Sequence, residues 1–137
     1  MSKIASWNVR GLNQPTKQKE VRVFMNYIQI GLCALLETRI AYPKIHSVFD
    51  KVFCRWHWIS NAEYGSRGCR IVIGWDPEEY YVNLQDMSDQ SVHCWVQAKS
   101  GSKAFFYSVI YAANNYIDRR SLWRDLRKFK AAINASP

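Results

Sequence analysis

In the N-terminal part of the chain the spacing of hydrophobic positions changes twice. Residues 4–9 form a short run of high β propensity, which the turn-prone residues 10–15 end. The hydrophobic positions that follow are spaced i, i+3, i+4, i+7 and predict an amphipathic helix: Val21, Phe24, Met25 and Ile28. Gly31 is predicted to end this helix. The apolar run 32–36 then predicts a strand buried on both faces, ended by the polar residues 37–39.

A strand, a helix and a second strand in this order predict a βαβ unit. Its two strands are expected to be parallel and joined by a right-handed connection. Asn8 ends the first predicted strand and Glu37 follows the second. Because parallel strands finish at the same edge of a sheet, we expect this carboxamide and this carboxylate to lie side by side, where open α/β sheets bind ligands.

The rest of the chain changes from this pattern to short strands and a final helix. Turn signals separate five β-branched or aromatic runs, which predict antiparallel strands at 56–59, 70–75, 80–84, 92–96 and 104–111. A last helix is predicted to begin near Asn115 with one apolar face: Leu122, Leu126, Phe129 and Ile133. Together these elements predict an α/β protein with mixed sheets.

Composition limits the class of protein. The chain has 137 residues, of which 48% are hydrophobic, and this favours one globular folding unit over disorder. No run approaches the roughly 18 apolar residues of a membrane span, and the N-terminus lacks a signal-peptide pattern. The four cysteines include no Cys-x-x-Cys pair, so neither a disulfide framework nor a zinc knuckle is indicated. We therefore expect an intracellular protein, in the nucleus or cytoplasm, that is neither membrane-bound nor secreted.

Positive charge adds a candidate partner. The net charge is +8, from 19 Lys and Arg against 11 Asp and Glu. Much of it lies on the outer face of the last predicted helix, at Arg119, Arg120, Arg124, Arg127, Lys128 and Lys130. Such a face is either simply solvated or contacts nucleic-acid phosphates. A basic nucleic-acid-binding module without catalysis therefore stays open as one hypothesis.

Three separated segments resemble the endonuclease/exonuclease/phosphatase superfamily. They are residues 6–13 (SWNVRGLN), 35–39 (LLETR) and 109–114 (VIYAAN). The chain is most similar to the N-terminal endonuclease domain of plant LINE-type (non-LTR) retrotransposons, which residues 88–94 and 118–123 also resemble. The resemblance implies a four-layer α/β sandwich, two mixed sheets face to face with helices outside. It also implies that residues 1–137 form a single, incomplete domain of this type, its N-terminal part.

The resemblance also implies roles for individual residues. Glu37 corresponds to the ligand of a divalent cation, usually Mg²⁺, which prefers carboxylate oxygen. Asn8 corresponds to a residue that orients the scissile phosphate, while Tyr111 and Asn114 correspond to hydrogen-bond donors to phosphate oxygens. Arg10 departs from the family pattern, since some relatives have an acid there. His93 is not the family's catalytic histidine, and we interpret it as a structural residue of a strand.

Two further blocks of that family have no counterpart in this sequence. They are a Gly-Asp-Phe-Asn block, which supplies a water-activating Asp, and a Ser-Asp-His block, which supplies an acid and the histidine. The resemblance therefore implies a fragment of a Mg²⁺-dependent, DNA-cleaving endonuclease that binds Mg²⁺ weakly and is inactive by itself, because it lacks general acid–base groups. The alternatives are the non-catalytic nucleic-acid-binding module and a retroelement remnant without function. The sequence does not reveal the oligomeric state or a DNA sequence preference.

Overall fold

The protein is described as a computed structural model that covers residues 3–65, 68–101, 103–112, 120, 122–128 and 130. The described strands are β1 (Lys3–Asn8), β2 (Ile30–Ile40), β3 (His57–Ser60), β4 (Cys69–Trp75), β5 (Tyr80–Met87), β6 (Ser91–Ala98) and β7 (Ala104–Ile110). The helices are α1 (Pro15–Tyr27) and α2 (Ile45–Val52), with short 3-10 turns at Tyr42–Lys44 and Ala62–Tyr64. Residues 122–128 are also helical. No helix in these ranges is long and apolar enough to cross a membrane.

The strands form two sheets. The first has the order β1-β2-β4-β3, in which β1 and β2 are parallel and the other pairs are antiparallel. The second is the antiparallel meander β5-β6-β7. The predicted parallel β1-α1-β2 unit and the five predicted antiparallel strands are therefore confirmed.

Two hydrophobic cores define the layers. One lies between the first sheet and the helices α1 and α2, and it contains Cys33, Leu35 and Phe49. The other lies between the two sheets, where Leu32 and Ala34 meet Val92 and other residues of the second sheet. Alternate residues of β2 thus enter opposite cores, which confirms the prediction of a strand buried on both faces. The predicted α/β class with mixed sheets in a sandwich is also confirmed.

Two element boundaries and one helix differ from the sequence predictions. Helix α1 ends at Tyr27 rather than near Gly31, and Gln29 takes the left-handed conformation that a glycine would be expected to adopt, with φ 56°. Strand β2 continues past Glu37 to Ile40, because Thr38 and Ile40 are fully buried. Helix α2 was not predicted, although it buries a helical stripe of its own: Ile45, Val48, Phe49 and Val52.

Buried titratable groups fit the structural roles predicted for them. Cys33, Cys69 and Cys94 are buried and Cys54 is exposed. Burial raises the pKa of the Cys33 and Cys94 thiols to about 12. His93 is also buried, and its Nδ1 lies 2.7 Å from the Ser108 hydroxyl on the neighbouring strand β7. His93 therefore lies inside strand β6, as predicted, while its structural role stays an interpretation.

The environment of His93 predicts a pH dependence of stability. Burial lowers the pKa of His93, although the carboxylates of Asp86 and Asp125 oppose the shift. The folded state therefore binds the proton less readily than the unfolded chain, so the free energy of unfolding should fall as the pH drops below the ordinary histidine pKa of 6.5. Urea unfolding between about pH 8 and about pH 5 should show a smaller decrease for His93→Asn than for the wild type. Identical pH profiles would contradict this prediction.

Candidate active site

The carboxyl end of β1 lies beside residues 36 and 37 of β2, the place where the βαβ pattern predicts the end of the second strand. Asn8 pairs with Leu36 in the parallel register. Beyond the strand, the Val9 amide donates to the Leu36 carbonyl at 3.0 Å and the Gly11 amide donates to the Glu37 carbonyl at 2.7 Å. The backbone that follows Asn8 is therefore hydrogen-bonded directly to the backbone of Glu37.

The Asn8 side chain is exposed at this edge of the sheet. Its Oδ1 accepts a hydrogen bond from the Arg10 amide at 3.2 Å. Arg10 has φ 51°, and Gly11 after it has φ 101°. The side-chain acceptor of Asn8 thus fixes the first turn after the strand, as short amide side chains commonly do.

The Glu37 carboxylate is held by an ion pair that the sequence analysis did not predict. Arg39 Nη2 lies 2.5 Å from Glu37 Oε1. The Glu37 side chain is 19% exposed and that of Arg39 is 59% exposed. Exposed ion pairs of this kind stabilise a fold by only about 0.2–1 kcal/mol. The guanidinium therefore neutralises the carboxylate without fixing it strongly, and a cation could replace it.

An irregular backbone presents Glu37 and Arg39 to the same side. The register of β2 against β4 shifts between Leu36 and Ile40, and Glu37 and Arg39 both have φ 59°. Thr38, between them, is buried and its hydroxyl donates to the Cys69 carbonyl at 2.6 Å. Positive φ at residues other than glycine costs about 1–3 kcal/mol and is concentrated at functional sites. The buried Thr38 anchor is what holds the two strained residues in place.

Gly68, the residue just before β4, packs closely against this irregular segment. It has φ 90°, and a Cβ atom built on it would lie 2.9 Å from the Arg39 carbonyl carbon. Only glycine combines that conformation with so close an approach of two backbones. The geometry at Arg39 therefore depends on a glycine distant in sequence.

The other two predicted site residues belong to the second sheet or lie outside the described residues. Tyr111 directly follows β7, is half-buried, and its amide donates to the Gln90 carbonyl at 2.9 Å. It packs against the core between the sheets, as does Leu36, the residue before Glu37. Asn114 lies outside the described residues. Tyr111, which follows the second sheet, and Leu36, which precedes Glu37 in the first sheet, therefore contact the same core.

The donor set at the edge is small. It consists of the Glu37 carboxylate and the Asn8 amide. In the part of the chain that the structure describes, no group of three or more His, Cys, Asp or Glu residues could hold a metal ion. Mg²⁺ in proteins commonly uses one or two carboxylates, with waters and substrate phosphates completing the shell. A single carboxylate of this kind fits part of such a shell.

Known structures share this arrangement of sheets and helices. AP endonuclease LMAP from Leishmania major aligns with 82% of the chain at a TM-score of 0.61 and 13% identity. D. rerio TDP2 complexed with single strand DNA product aligns with 98% of the chain at a TM-score of 0.60 and 12% identity. ANGEL2, a 2',3'-cyclic phosphatase, aligns with 80% of the chain at a TM-score of 0.59 and 9% identity. The fold is of the endonuclease/exonuclease/phosphatase type. This confirms the sandwich that the sequence resemblance implied.

The chain spans about half the length of these structures or less. It covers 40% of the AP endonuclease, 55% of TDP2 and 41% of ANGEL2. No family model and no curated protein matches the sequence. The endonuclease/exonuclease/phosphatase fold is therefore established by structure, at identities too low to carry over an activity.

Proposed function

We propose that this chain is part of a Mg²⁺-dependent endonuclease of a LINE-type retrotransposon, which cleaves phosphodiester bonds in DNA. The observation that carries the proposal is the backbone hydrogen bond between Gly11 and Glu37, which joins the turn after Asn8 to the strained strand segment that contains Glu37. Support for the superfamily comes from the fold, and support for the retroelement comes from the sequence segments quoted above. TDP2, one of the similar structures, was determined with a DNA product.

Each proposed site residue has a role suited to its chemistry. Glu37 would hold Mg²⁺, which supplies Lewis-acid stabilisation of charge on a phosphoryl oxygen. Asn8, with both a donor and an acceptor in its amide, would orient the phosphate. Tyr111 and Asn114 would donate hydrogen bonds to its oxygens, where negative charge develops.

We also propose that the chain alone does not turn over substrate. In the described residues Glu37 belongs to no group of three or more His, Cys, Asp or Glu residues that could hold a metal ion. The sequence also has no counterpart of the Gly-Asp-Phe-Asn and Ser-Asp-His blocks that supply the family's acid–base groups. General acid–base groups contribute about 10²–10⁴ in rate, and one carboxylate should bind Mg²⁺ weakly. DNA remains the proposed partner, and the nucleus or cytoplasm the proposed location.

Paramagnetic NMR with Mn²⁺ in place of Mg²⁺ tests the proposed cation site. We expect broadening of the amide signals of Asn8, Gly11 and Glu37, and its loss in Glu37→Gln. Glu78→Gln, which changes an exposed acid elsewhere, should leave the broadening intact. Arg39→Gln should strengthen Mn²⁺ binding about two- to fivefold, because the carboxylate no longer has a competing guanidinium.

Other outcomes would separate the parts of the proposal. Broadening that does not depend on Glu37 would contradict the cation site. Nicking of supercoiled plasmid in Mg²⁺ that disappears in Glu37→Gln would support the site and show that the chain is active by itself. Without a cation site, DNA binding that falls steeply with salt would favour the nucleic-acid-binding module, for which Arg124, Arg127 and Lys128 are suitably exposed on the helical residues 122–128.

A further inference from the structure

A second concave site lies away from the candidate active site. It is a cleft of about 470 Å³ between α2, β3, β5 and the two 3-10 turns Tyr42–Lys44 and Ala62–Tyr64. Strand β3 is one edge of the first sheet and β5 is one edge of the second. The candidate active-site residues lie at the opposite edges, since Asn8 ends β1 and Tyr111 follows β7. The volume lies within the ~300–1,000 Å³ range of small-molecule sites. We call it the aromatic cleft.

Aromatic rings line much of the aromatic cleft. Tyr42 and Tyr64 line it and are 57% and 53% exposed. Trp58 also lines it, and its position is fixed because its indole Nε1 donates to Asp50 Oδ1 at 2.9 Å. The Trp58 ring also meets the buried Phe49 ring edge-on, with centroids 5.2 Å apart. The cleft therefore offers aromatic surface, one part of it held rigidly.

The charge of the aromatic cleft is opposite to that of the chain. Asp50 and Glu63 line it, and no lysine or arginine is among its described lining residues. The chain as a whole carries a net charge of +8. Two carboxylates repel nucleic-acid phosphates and attract cations. This surface is therefore unsuited to a DNA backbone and suited to a positively charged group.

We propose that the aromatic cleft binds a quaternary alkylammonium group, presented as a trimethylated lysine side chain of a basic peptide. Cations over aromatic rings are attracted by the ring quadrupole, and quaternary ammonium groups are typical ligands of such sites. The remaining lining is largely aliphatic, with Ile45, Ile59, Leu84 and Met87. Methyl groups can pack on that surface, whereas a primary ammonium would lose water from three donors there.

A quaternary ammonium group occurs in choline lipids and in methylated lysine, and the charge of the cleft distinguishes these two sources. A choline lipid carries a phosphate next to its ammonium, which Asp50 and Glu63 would repel. A methylated lysine in a basic peptide has further positive charges beside it, which the same carboxylates attract. The peptide is therefore the favoured source.

Fluorescence polarisation with a short labelled basic peptide tests the proposal on the full chain. The trimethyllysine peptide should bind more tightly than its unmodified counterpart. Tyr42→Ala and Tyr64→Ala should each weaken binding about two- to fivefold, the effect expected for one exposed ring. Tyr27→Ala, which removes a tyrosine that is 84% exposed on α1, should have no effect.

The carboxylates are tested in the same assay. Asp50→Asn keeps an acceptor for Trp58 but removes the charge, and it should weaken binding, as should Glu63→Gln. Glu78→Gln, at an exposed acid outside the cleft, should not. Equal affinity for both peptides, or no effect of the cleft variants, would overturn the proposal. Binding to phosphatidylcholine vesicles without peptide binding would overturn the assignment of the source.

Discussion

Replacing Gly74 with alanine should lower the free energy of unfolding by about 2–3 kcal/mol, the upper part of the usual range for overpacking. Gly74 lies in β4, and an added Cβ would overlap the Phe53 ring atoms Cγ, Cδ1 and Cε1. Phe53 is only 2% exposed and stacks on Trp56 with centroids 6.1 Å apart. The ring therefore has no open space to move into.

A double-mutant cycle measures whether this overlap is the cause. Urea unfolding should show that Phe53→Leu, which reduces the ring to a smaller side chain, makes the added cost of Gly74→Ala smaller than in the wild-type background. Gly101→Ala is the matched control, because a Cβ there meets nothing within 4 Å. If the costs of Gly74→Ala and Phe53→Leu simply added, the overlap could not be the source of the destabilisation.

Replacing Gly68 with alanine should combine a loss of stability with a change at the candidate active site. The substitution forces a side chain into φ 90° and places its Cβ 3.0 Å from the Arg39 carbonyl oxygen. Backbone atoms cannot rotate away as a side chain could, so we expect a loss of about 2–4 kcal/mol from strain and overlap together. Gly11→Ala is a matched comparison. It has a similar φ of 101°, but a Cβ there lies 3.8 Å from its nearest neighbour, Arg39 Cδ.

The two glycine variants separate backbone strain from steric overlap. Gly68→Ala should be the more destabilising by urea unfolding, because only it adds overlap. It should also shift the NMR signals of the Gly11 and Leu12 amides, which donate to the Glu37 and Thr38 carbonyls. An effect equal to that of Gly11→Ala, or unchanged amide signals in Gly68→Ala, would show that Gly68 does not support the strained segment.

The βαβ unit could be predicted because its hydrophobic pattern is local and regular. Of the predicted helical stripe, Val21 and Met25 are buried on α1, whereas Phe24 is exposed and Ile28 lies just beyond the end of the helix. Alternate residues of β2 enter the two cores. The position of Asn8 beside Leu36, the residue before Glu37, then follows from parallel pairing alone. Helix α2 has a similar hydrophobic stripe, but its eight residues are too few for the spacing to predict a helix.

The geometry around Glu37 could not be predicted in the same way. Positive φ is unfavourable for Glu and Arg, so local preferences argue against the conformation that Glu37 and Arg39 adopt. It exists because the buried Thr38 and the distant Gly68 compensate for it. The aromatic cleft could not be predicted from local patterns, because its residues come from five separate elements.

The uneven burial of the four cysteines gives the protein a natural attachment point for a spectroscopic probe. The Cys54 thiol, two residues beyond α2, is open to a maleimide reagent. The three buried thiols are shielded, and burial also suppresses the reactive thiolate by raising their pKa. A fluorophore can therefore be attached to Cys54 of the native sequence without any substitution. Alkylation of the three buried cysteines would then measure how often the hydrophobic cores become exposed to solvent.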